Sequence, residues 1–416
     1  MLSTTLILVL CGLFAMGMSA GVIGCFTFLR KRTLIGDAVA HAVLPGVAIG
    51  YMFSGTKDPI SLLIGGVVFG YIAIKSIDYI ANKTKLSEDT AIALVTTVYF
   101  AFGSTLLSYI AGDGSGQQAG LKDFLFGKAA TLTEQDVILF ICVALIVIFF
   151  VSLFFRPFVL VSFNKEFAAS KGWKVKTFET ILAILTVMVI TIGLQAVGVV
   201  LMSALLIAPA ASARYWTDSL KKMMVLSAIF GAFAGVSGAL LSLVGENMPT
   251  GPWVIMVLFL FTMLTLLFAP KKGYMSIRRK VKQNERQIHE ENVLKTLHQL
   301  SEEDKNSVKV TDLLQKRKIP SKKLDFALDN LIKKDFVSET EDYFELSETG
   351  KKEAIRVVRL HRLWELYLTQ RMNFKEDHIH GTAETIEHLI TEELEESLLK
   401  ELDYPTEDPH SKQIPY

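Results

Sequence analysis

Up to Ala269 the chain is one apolar segment after another, each about 18 to 25 residues, the length a helix needs to cross a hydrocarbon core of roughly 30 Å. Backbone in lipid has no water to bond, so such segments are confined to helices that satisfy their own N–H and C=O groups. The hydropathy pattern predicts spans at residues 4–28, 34–53, 60–81, 89–111, 137–155, 178–196, 197–214, 223–244 and 252–269. Between Thr180 and Ala213 no residue is charged, and Gly193-Leu-Gln-Ala-Val-Gly198 is the turn that divides this stretch into two. From Lys271 the sequence becomes charged and no later stretch is long enough to span. The mean hydropathy of +0.39 and the 51% hydrophobic content therefore average two unlike parts.

The predicted fold is mainly α: a polytopic helical membrane domain of about nine spans, then a cytoplasmic winged helix-turn-helix and a last helical domain, for which resemblance to a known family implies metal binding and dimerisation. The boundaries expected are 1–270 for the membrane domain, 271–289 for a linker helix, 290–348 for the winged-helix-like domain and 349–416 for the last. Arg30-Lys31-Arg32, Lys83-Thr-Lys85, the segment 165–176, Lys221-Lys222 and Lys271-Lys272 all fall on one side of nine alternating spans. Cytoplasmic loops collect Lys and Arg, so that side is the cytoplasm, with the N-terminus outside and the C-terminal third inside. The start of the chain lacks the basic region and small-residue cleavage site of a removed signal and reads as a first span.

The formal charge of +1 offers no bulk attraction for nucleic acid. Cys11, Cys25 and Cys142 all lie in apolar segments, which gives no disulfide framework. No Gly-x-x-x-x-Gly-Lys-Ser/Thr loop occurs, so ATP hydrolysis would have to come from another subunit. His289-Glu290 lacks the second histidine of a zinc-hydrolase helix, Val293 standing in its place.

Asp37 and His41 near the start of the second span are costly in a membrane and lie at i, i+4 on one helix face. That spacing suits a shared divalent cation, or equally an interfacial helix cap beside a packed histidine. Pro45 breaks the helix just beyond and frees backbone carbonyls. Lys75 and Asp78, at the inner end of the third span, read as a snorkelling interfacial pair.

In the charged third, apolar residues recur at helical spacing in Val293, Leu294, Leu297 and Leu300, in Val310, Leu313 and Leu314, and in Leu324, Leu328 and Leu331. Two short β-prone runs follow between Phe336 and Leu346, which completes the order of a winged helix-turn-helix. A helix through 357–367 then places His361 and Glu365 one turn apart, and a helix through 382–390 carries Glu384, Glu387 and His388, with His380 one turn earlier. Imidazole and carboxylate without thiolate suit Mn²⁺, Fe²⁺ or Zn²⁺ and disfavour a structural zinc site; a surface helix with accidental histidines has the same spacing.

The stretch from Leu29-Arg-Lys-Arg-Thr-Leu-Ile-Gly-Asp37 through His41 to Pro45-Gly46 resembles the metal-ion permease subunits of ATP-binding-cassette importers for manganese, zinc and iron. The similarity continues through Phe124-Leu-Phe-Gly127, the segment 162–168, Leu194-Gln-Ala-Val-Gly198, Ala208 to Arg214 and Pro249-Thr-Gly-Pro252. This resemblance implies metal coordination along the pathway by Asp37 and His41. It further implies that residues 163–172, with Phe163, Asn164, Lys165, Glu166 and Phe167, dock on a separate ATPase subunit. A second permease subunit and an extracytoplasmic metal-binding protein are implied as partners.

Residues 290–416, above all 359–367, 380–395 and 405–415, resemble the diphtheria toxin repressor family of iron- and manganese-dependent regulators. Carried over by motif, His361, Glu365 and His380 match one metal site and Glu384, Glu387 and His388 the other. Glutamate at position 384 is similar to the manganese-type regulators. At the first helix the family's methionine or aspartate ligand aligns with Asn292, followed one turn later by Lys295, and an amide oxygen is the weaker ligand. The recognition helix expected over 321–333 mixes Lys322 and Lys323 with Asp325 and Asp329, which argues against phosphate contact. The functional expectation is a permease subunit for a divalent transition metal with a fused metal-sensing domain; the rival is a membrane-anchored, metal-dependent transcription regulator.

Overall fold

The computed structural model describes residues 4–112, 127, 132–244, 248–302, 307–317, 320–341, 343–372, 392–410 and 412–415. The chain divides into two compact units, Met1–Ser276 and Ile277–Tyr416.

The first unit is helical throughout its described residues: α1 (Thr4–Leu29), α2 (Thr33–Ala42), α3 (Leu44–Ser54), α4 (Pro59–Lys83), α5 (Glu88–Gly112), α6 (Glu134–Leu153), α7 (Phe155–Phe163), α8 (Lys165–Ser170), α9 (Val175–Val197), α10 (Val199–Trp216), α11 (Leu220–Ser242) and α12 (Thr250–Phe268). Local chemistry sets several of the starts. Asp58 accepts from the Ser61 N–H at 2.9 Å, with Pro59 supplying a first helical residue that needs no bond of its own. At α6, Thr133 and Asp136 cap each other's backbone reciprocally, so the helix begins at Glu134, ahead of the apolar run.

Eight helices among the described residues are long and apolar enough to cross a membrane. Nine were expected. The expected seventh span forms α10, an 18-residue helix with Pro209 in its interior and Arg214 in its last turn. Gly198, at φ 88°, is the break between α9 and α10. Lys221, at the start of α11, lies over the Phe155 ring at the start of α7, 5.6 Å from its centre. Since α7 and α8 lead into α9, that contact returns α10 to the face from which α9 departed. The expected second span is likewise two helices, α2 and α3, divided at Val43 ahead of Pro45.

Burial is uneven, and that unevenness is itself diagnostic. The span containing α2 and α3 and the span of α9 are 72% buried over their most apolar windows, whereas α5 and α12 are 22% buried. Ile64, Leu145 and Phe259 are each more than half exposed, an arrangement that is stable when the surrounding solvent is hydrocarbon. At the centre, α1 and α11 touch backbone to backbone. A Cβ on Gly17 would stand 2.3 Å from the Gly231 carbonyl oxygen, and Ser227 Oγ donates to the Gly21 carbonyl at 2.7 Å. Small residues and a hydroxyl bond across helices are the means of association where lipid offers no hydrophobic drive.

The second unit comprises α13 (Tyr274–Glu302), which starts just ahead of it, β1 (Val308–Lys309), α14 (Val310–Lys316), α15 (Ser321–Lys333), β2 (Val337–Thr340), β3 (Tyr343–Leu346), α16 (Glu348–Met372) and α17 (Glu392–Glu401). The strands form an antiparallel sheet in the order β1-β3-β2, with Val308 opposite Phe344 and Val337 opposite Leu346. The helix, helix, helix, hairpin order expected over 290–348 is present. Leu294, Leu297, Leu324, Leu328, Phe344 and Ala354 form its core. A second core joins α16 to α17 and the C-terminal loop through Leu363, Leu366, Leu398, Leu402 and Ile414. The helix expected over 382–390 lies outside the described residues.

Candidate metal sites and docking segment

The i, i+4 spacing on α2, whose buried residues include Ile35, Ala38, Val39 and Ala42, puts Asp37 and His41 on the same side of the helix. His41 Nε2 lies 3.9 Å from Asp37 Oδ1. The carboxylate is half exposed and the imidazole side chain is 23% exposed. The His41 ring stands edge-on to Phe100 of α5, centroids 5.1 Å apart, which fixes its plane. Its Nδ1 is buried without a hydrogen-bond partner. Pro45 has no N–H to return to the carbonyl four residues back, which is that of His41. Oxygen and nitrogen donors of the kind a divalent ion takes thus converge where the helix is interrupted. The Phe100 contact had no sequence signal, being one aromatic among many on an apolar helix.

The interfacial pair expected between Lys75 and Asp78 is not formed. Asp78 pairs with Arg32 at 3.0 Å, and the Lys75 ammonium lies over the Tyr71 ring at 5.4 Å. Arginine's fork reaches from the turn after α1 and takes the carboxylate that lysine, stretched along its own helix, leaves to it.

The segment expected to dock on an ATPase, residues 163–172, comprises the end of α7, Asn164, α8 and the two residues after it. Asn164 caps α8, its side-chain oxygen accepting the Phe167 N–H at 2.9 Å. Phe163 and Phe167 are 62% and 47% exposed, with Glu166 exposed beside them. Lys165 turns back and bonds Glu179 of α9 at 2.6 Å.

In the second unit, α16 brings His361 Nε2 to 3.0 Å from Glu365 Oε1, with the two residues 9% and 2% exposed. They line a cleft of about 340 Å³ with Lys295, Arg362, Asp408 and His410. Asp408 organises the C-terminal loop around this cleft: its Oδ1 accepts the His410 and Lys412 N–H groups at 2.8 and 2.9 Å, and its Oδ2 faces Arg362 at 3.8 Å. Lys295, expected one turn beyond Asn292, is buried in the same cleft. The buried Asn292 Oδ1 has no hydrogen-bond partner. A buried amide oxygen is costly when unsatisfied, so a cation brought to it would relieve a standing penalty. His380, Glu384, Glu387 and His388 lie outside the described residues; among those described, no group of three or more His, Cys, Asp or Glu converges to hold a metal. The clamp on α17 was not anticipated: buried Glu395 takes Arg359 Nε at 2.9 Å and Arg356 Nε at 3.2 Å.

On α13, burial pushes the His289 imidazole below its ordinary value, with Lys323 adding to the effect and Glu285 opposing it. His289 is therefore neutral at pH 7. The exposed residues of α15 include Lys322, Lys323, Asp325 and Asp329, so carboxylates share the face a nucleic acid would approach.

Residues 3–269 match the model of the ABC 3 transport family, and residues 347–416 match that of the iron dependent repressor, metal binding and dimerisation domain. The chain is 36% identical over 365 residues to the manganese transport system membrane protein MntC of Bacillus subtilis, covering 88% of this chain and 84% of that protein. It is 37% identical over 265 residues to the zinc transport system membrane protein TroC of Treponema pallidum, covering 64% of this chain and 89% of that one. Among solved structures, PsaBC from Streptococcus pneumoniae in complex with Fab superposes with a TM-score of 0.60 at 32% identity, over 66% of this chain and 96% of that one.

Proposed function

Because the chain belongs to the ABC 3 transport family, we propose that it is the membrane-spanning permease subunit of an importer for a divalent transition metal, with Mn²⁺ the leading substrate. The observation that carries the whole reading is the union, in one chain, of a permease-family match over residues 3–269 with a metal-binding domain match over 347–416. Mn²⁺ ranks ahead of Zn²⁺ and Fe²⁺ because the manganese-named relative aligns over 88% of this chain; the thiolate-free donor set itself suits all three.

In this reading Asp37 and His41 offer the passing ion its protein donors, with the His41 ring held by Phe100. The exposed aromatics Phe163 and Phe167 on the capped turn at Asn164, together with Lys165 and Glu166, dock on a separate ATP-hydrolysing subunit; this chain is not itself an enzyme. A second permease subunit and an extracytoplasmic metal-binding protein complete the transporter. The half-exposed Asp37 supports the second subunit, since a carboxylate in a span is stable when it faces a shared pathway.

The C-terminal unit lies in the cytoplasm and binds the imported ion through His361, Glu365 and His380 at one site and Glu384, Glu387 and His388 at another, with Asn292 Oδ1 as a further donor to the second. Ion occupancy regulates transport by favouring one conformation of the transporter, which requires tighter binding to that state than to the other. The winged-helix-like part serves that regulatory unit and not a DNA operator, because Asp325 and Asp329 share its exposed face with the lysines.

Calorimetric titration of residues 274–416 with Mn²⁺, Fe²⁺ and Zn²⁺, with His361→Ala as control, tests the sensor. Reconstituted transporter taking up Mn²⁺, with uptake lost in Asp37→Asn, tests the permease. Titration heats unaltered in His361→Ala would remove the sensor reading.

A further inference from the structure

Six charged side chains converge where α1 ends and α2 begins, and the function described so far uses only one of them. Arg30 and Arg32 flank Lys31, whose φ of 58° makes the turn between the two helices tight. Arg30 bonds Glu179 of α9 at 2.9 Å, with side chains 14% and 26% exposed. Arg32 bonds Asp78 of α4 at 3.0 Å and Glu88 of α5 at 2.9 Å. The turn is thus gripped on both sides, and Arg32 is the residue immediately before the helix that carries Asp37 and His41. Lys165 of α8 closes the network on the same Glu179 oxygen, at 2.6 Å.

One carboxylate oxygen therefore serves two cations on two different elements: the docking segment and the turn that aims the metal-site helix. A shared acceptor makes the two contacts interdependent. While Lys165 is in place, the Glu179 charge is divided between it and Arg30. When the docking segment moves and carries Lys165 away, the whole charge turns to Arg30 and tightens its hold on the turn. That is a differential interaction between two states, the requirement for one element to bias another. The half-exposed Lys165 and the mostly enclosed Arg30 fit this division, with the docking-segment partner at the surface and the turn's partner inside.

We infer that Glu179 is a positioning residue that transmits movement of the ATPase-docking segment to the turn preceding Asp37 and His41, so that ATP hydrolysis is tied to ion passage. The inference rests on the permease reading and on residues 163–167 as the docking segment.

The test uses the complete transporter, with its ATPase and second permease subunit, in proteoliposomes, and reads Mn²⁺ taken up per ATP hydrolysed. Glu179→Gln lowers that ratio about tenfold, the equivalent of one charge-assisted hydrogen bond, while hydrolysis continues. Glu179→Asp, which keeps the charge, recovers most of the ratio. Arg30→Gln reproduces the loss, and the double variant Arg30→Gln with Glu179→Gln is no worse than Glu179→Gln alone, because both break the same Arg30–Glu179 contact. An unchanged ratio in Glu179→Gln, uptake and hydrolysis falling together in both variants, or losses that multiply in the double variant would overturn the relay alone. Absence of Mn²⁺ uptake by the wild-type transporter would overturn the permease reading and the relay with it.

Discussion

Replacing Glu395 by glutamine is expected to loosen α17 from α16 by an amount the geometry sets. The Glu395 side chain is 8% exposed and receives Arg359 at Oε1 and Arg356 at Oε2. Stripping one partner from a buried ion pair costs on the order of 3–5 kcal/mol, because the remaining charge stays buried and unmatched. Here the remaining arginines keep 20% and 30% of their side-chain surface in water, so hydration recovers part of that loss. The glutamine carbonyl also retains one acceptor. The expected loss is therefore about 2 kcal/mol. Arg371→Ala is the control: its pair with Glu401 is at 3.9 Å with both side chains more than half exposed, and it donates one exposed hydrogen bond to the Glu401 carbonyl at 3.1 Å, so its loss should stay under about 1 kcal/mol. Urea unfolding of residues 274–416, with an unchanged denaturant slope, measures both. A Glu395→Gln loss no larger than that of the control would refute the anchoring role. Because residues 373–391, with four proposed ligands, connect the two helices, the same variant should also weaken Mn²⁺ binding.

Mn²⁺ at about 100 times its dissociation constant should stabilise the 274–416 fragment by roughly 2.7 kcal/mol, and a chelator should remove that gain. The gain should be absent in His361→Ala with Glu387→Ala, as thermal melts would show. Gly17→Val places a side chain where a Cβ alone would stand 2.3 Å from the Gly231 carbonyl oxygen, so the melting temperature in detergent should fall with a cost of about 1–3 kcal/mol; an unchanged midpoint would mean α1 and α11 are not in backbone contact. His289 has a lowered pKa in the folded chain, so as pH falls below the ordinary histidine value the unfolded chain takes up the proton first. Its contribution is thus present at pH 7 and lost as pH drops through the folded pKa. Unfolding midpoints should decline on acidification less steeply for His289→Gln than for wild type.

The apolar runs were legible because a helix in lipid must be long, uncharged and self-bonded, and those conditions leave few alternatives. Asp37 and His41 stood out for the converse reason, as polar groups where polarity is expensive. Helix breaks were legible in part: Pro45 announced the end of α2, and the break between α9 and α10 falls at Gly198, within the turn expected over 193–198. Ion pairs were the least legible. A carboxylate's sequence neighbours do not reveal which arginine will reach it, so Asp78 was assigned to Lys75 and the partnership of Arg30, Lys165 and Glu179 went unseen. The Asp408 loop and Glu395 clamp were hidden likewise, since each joins residues more than thirty positions apart.

The interruption at Val43 has a mechanical meaning. An unbroken helix through the membrane behaves as one stiff rod, and tilting one end moves the other. Between Ala42 and Leu44 the ladder only thins: Pro45 returns no N–H to the His41 carbonyl, while Val43 keeps helical φ and ψ and its N–H and C=O still bond Val39 and Val47. The outer segment is seated: a Cβ on Gly46 would come within 2.1 Å of the Gly65 carbonyl oxygen, so α3 lies hard against α4 with no room to roll. The inner segment carries Asp37 and His41, the proposed ion-binding pair, and has a clamped turn at its foot. Small rotations at that foot would therefore move Asp37 and His41 while α3 stays seated on α4.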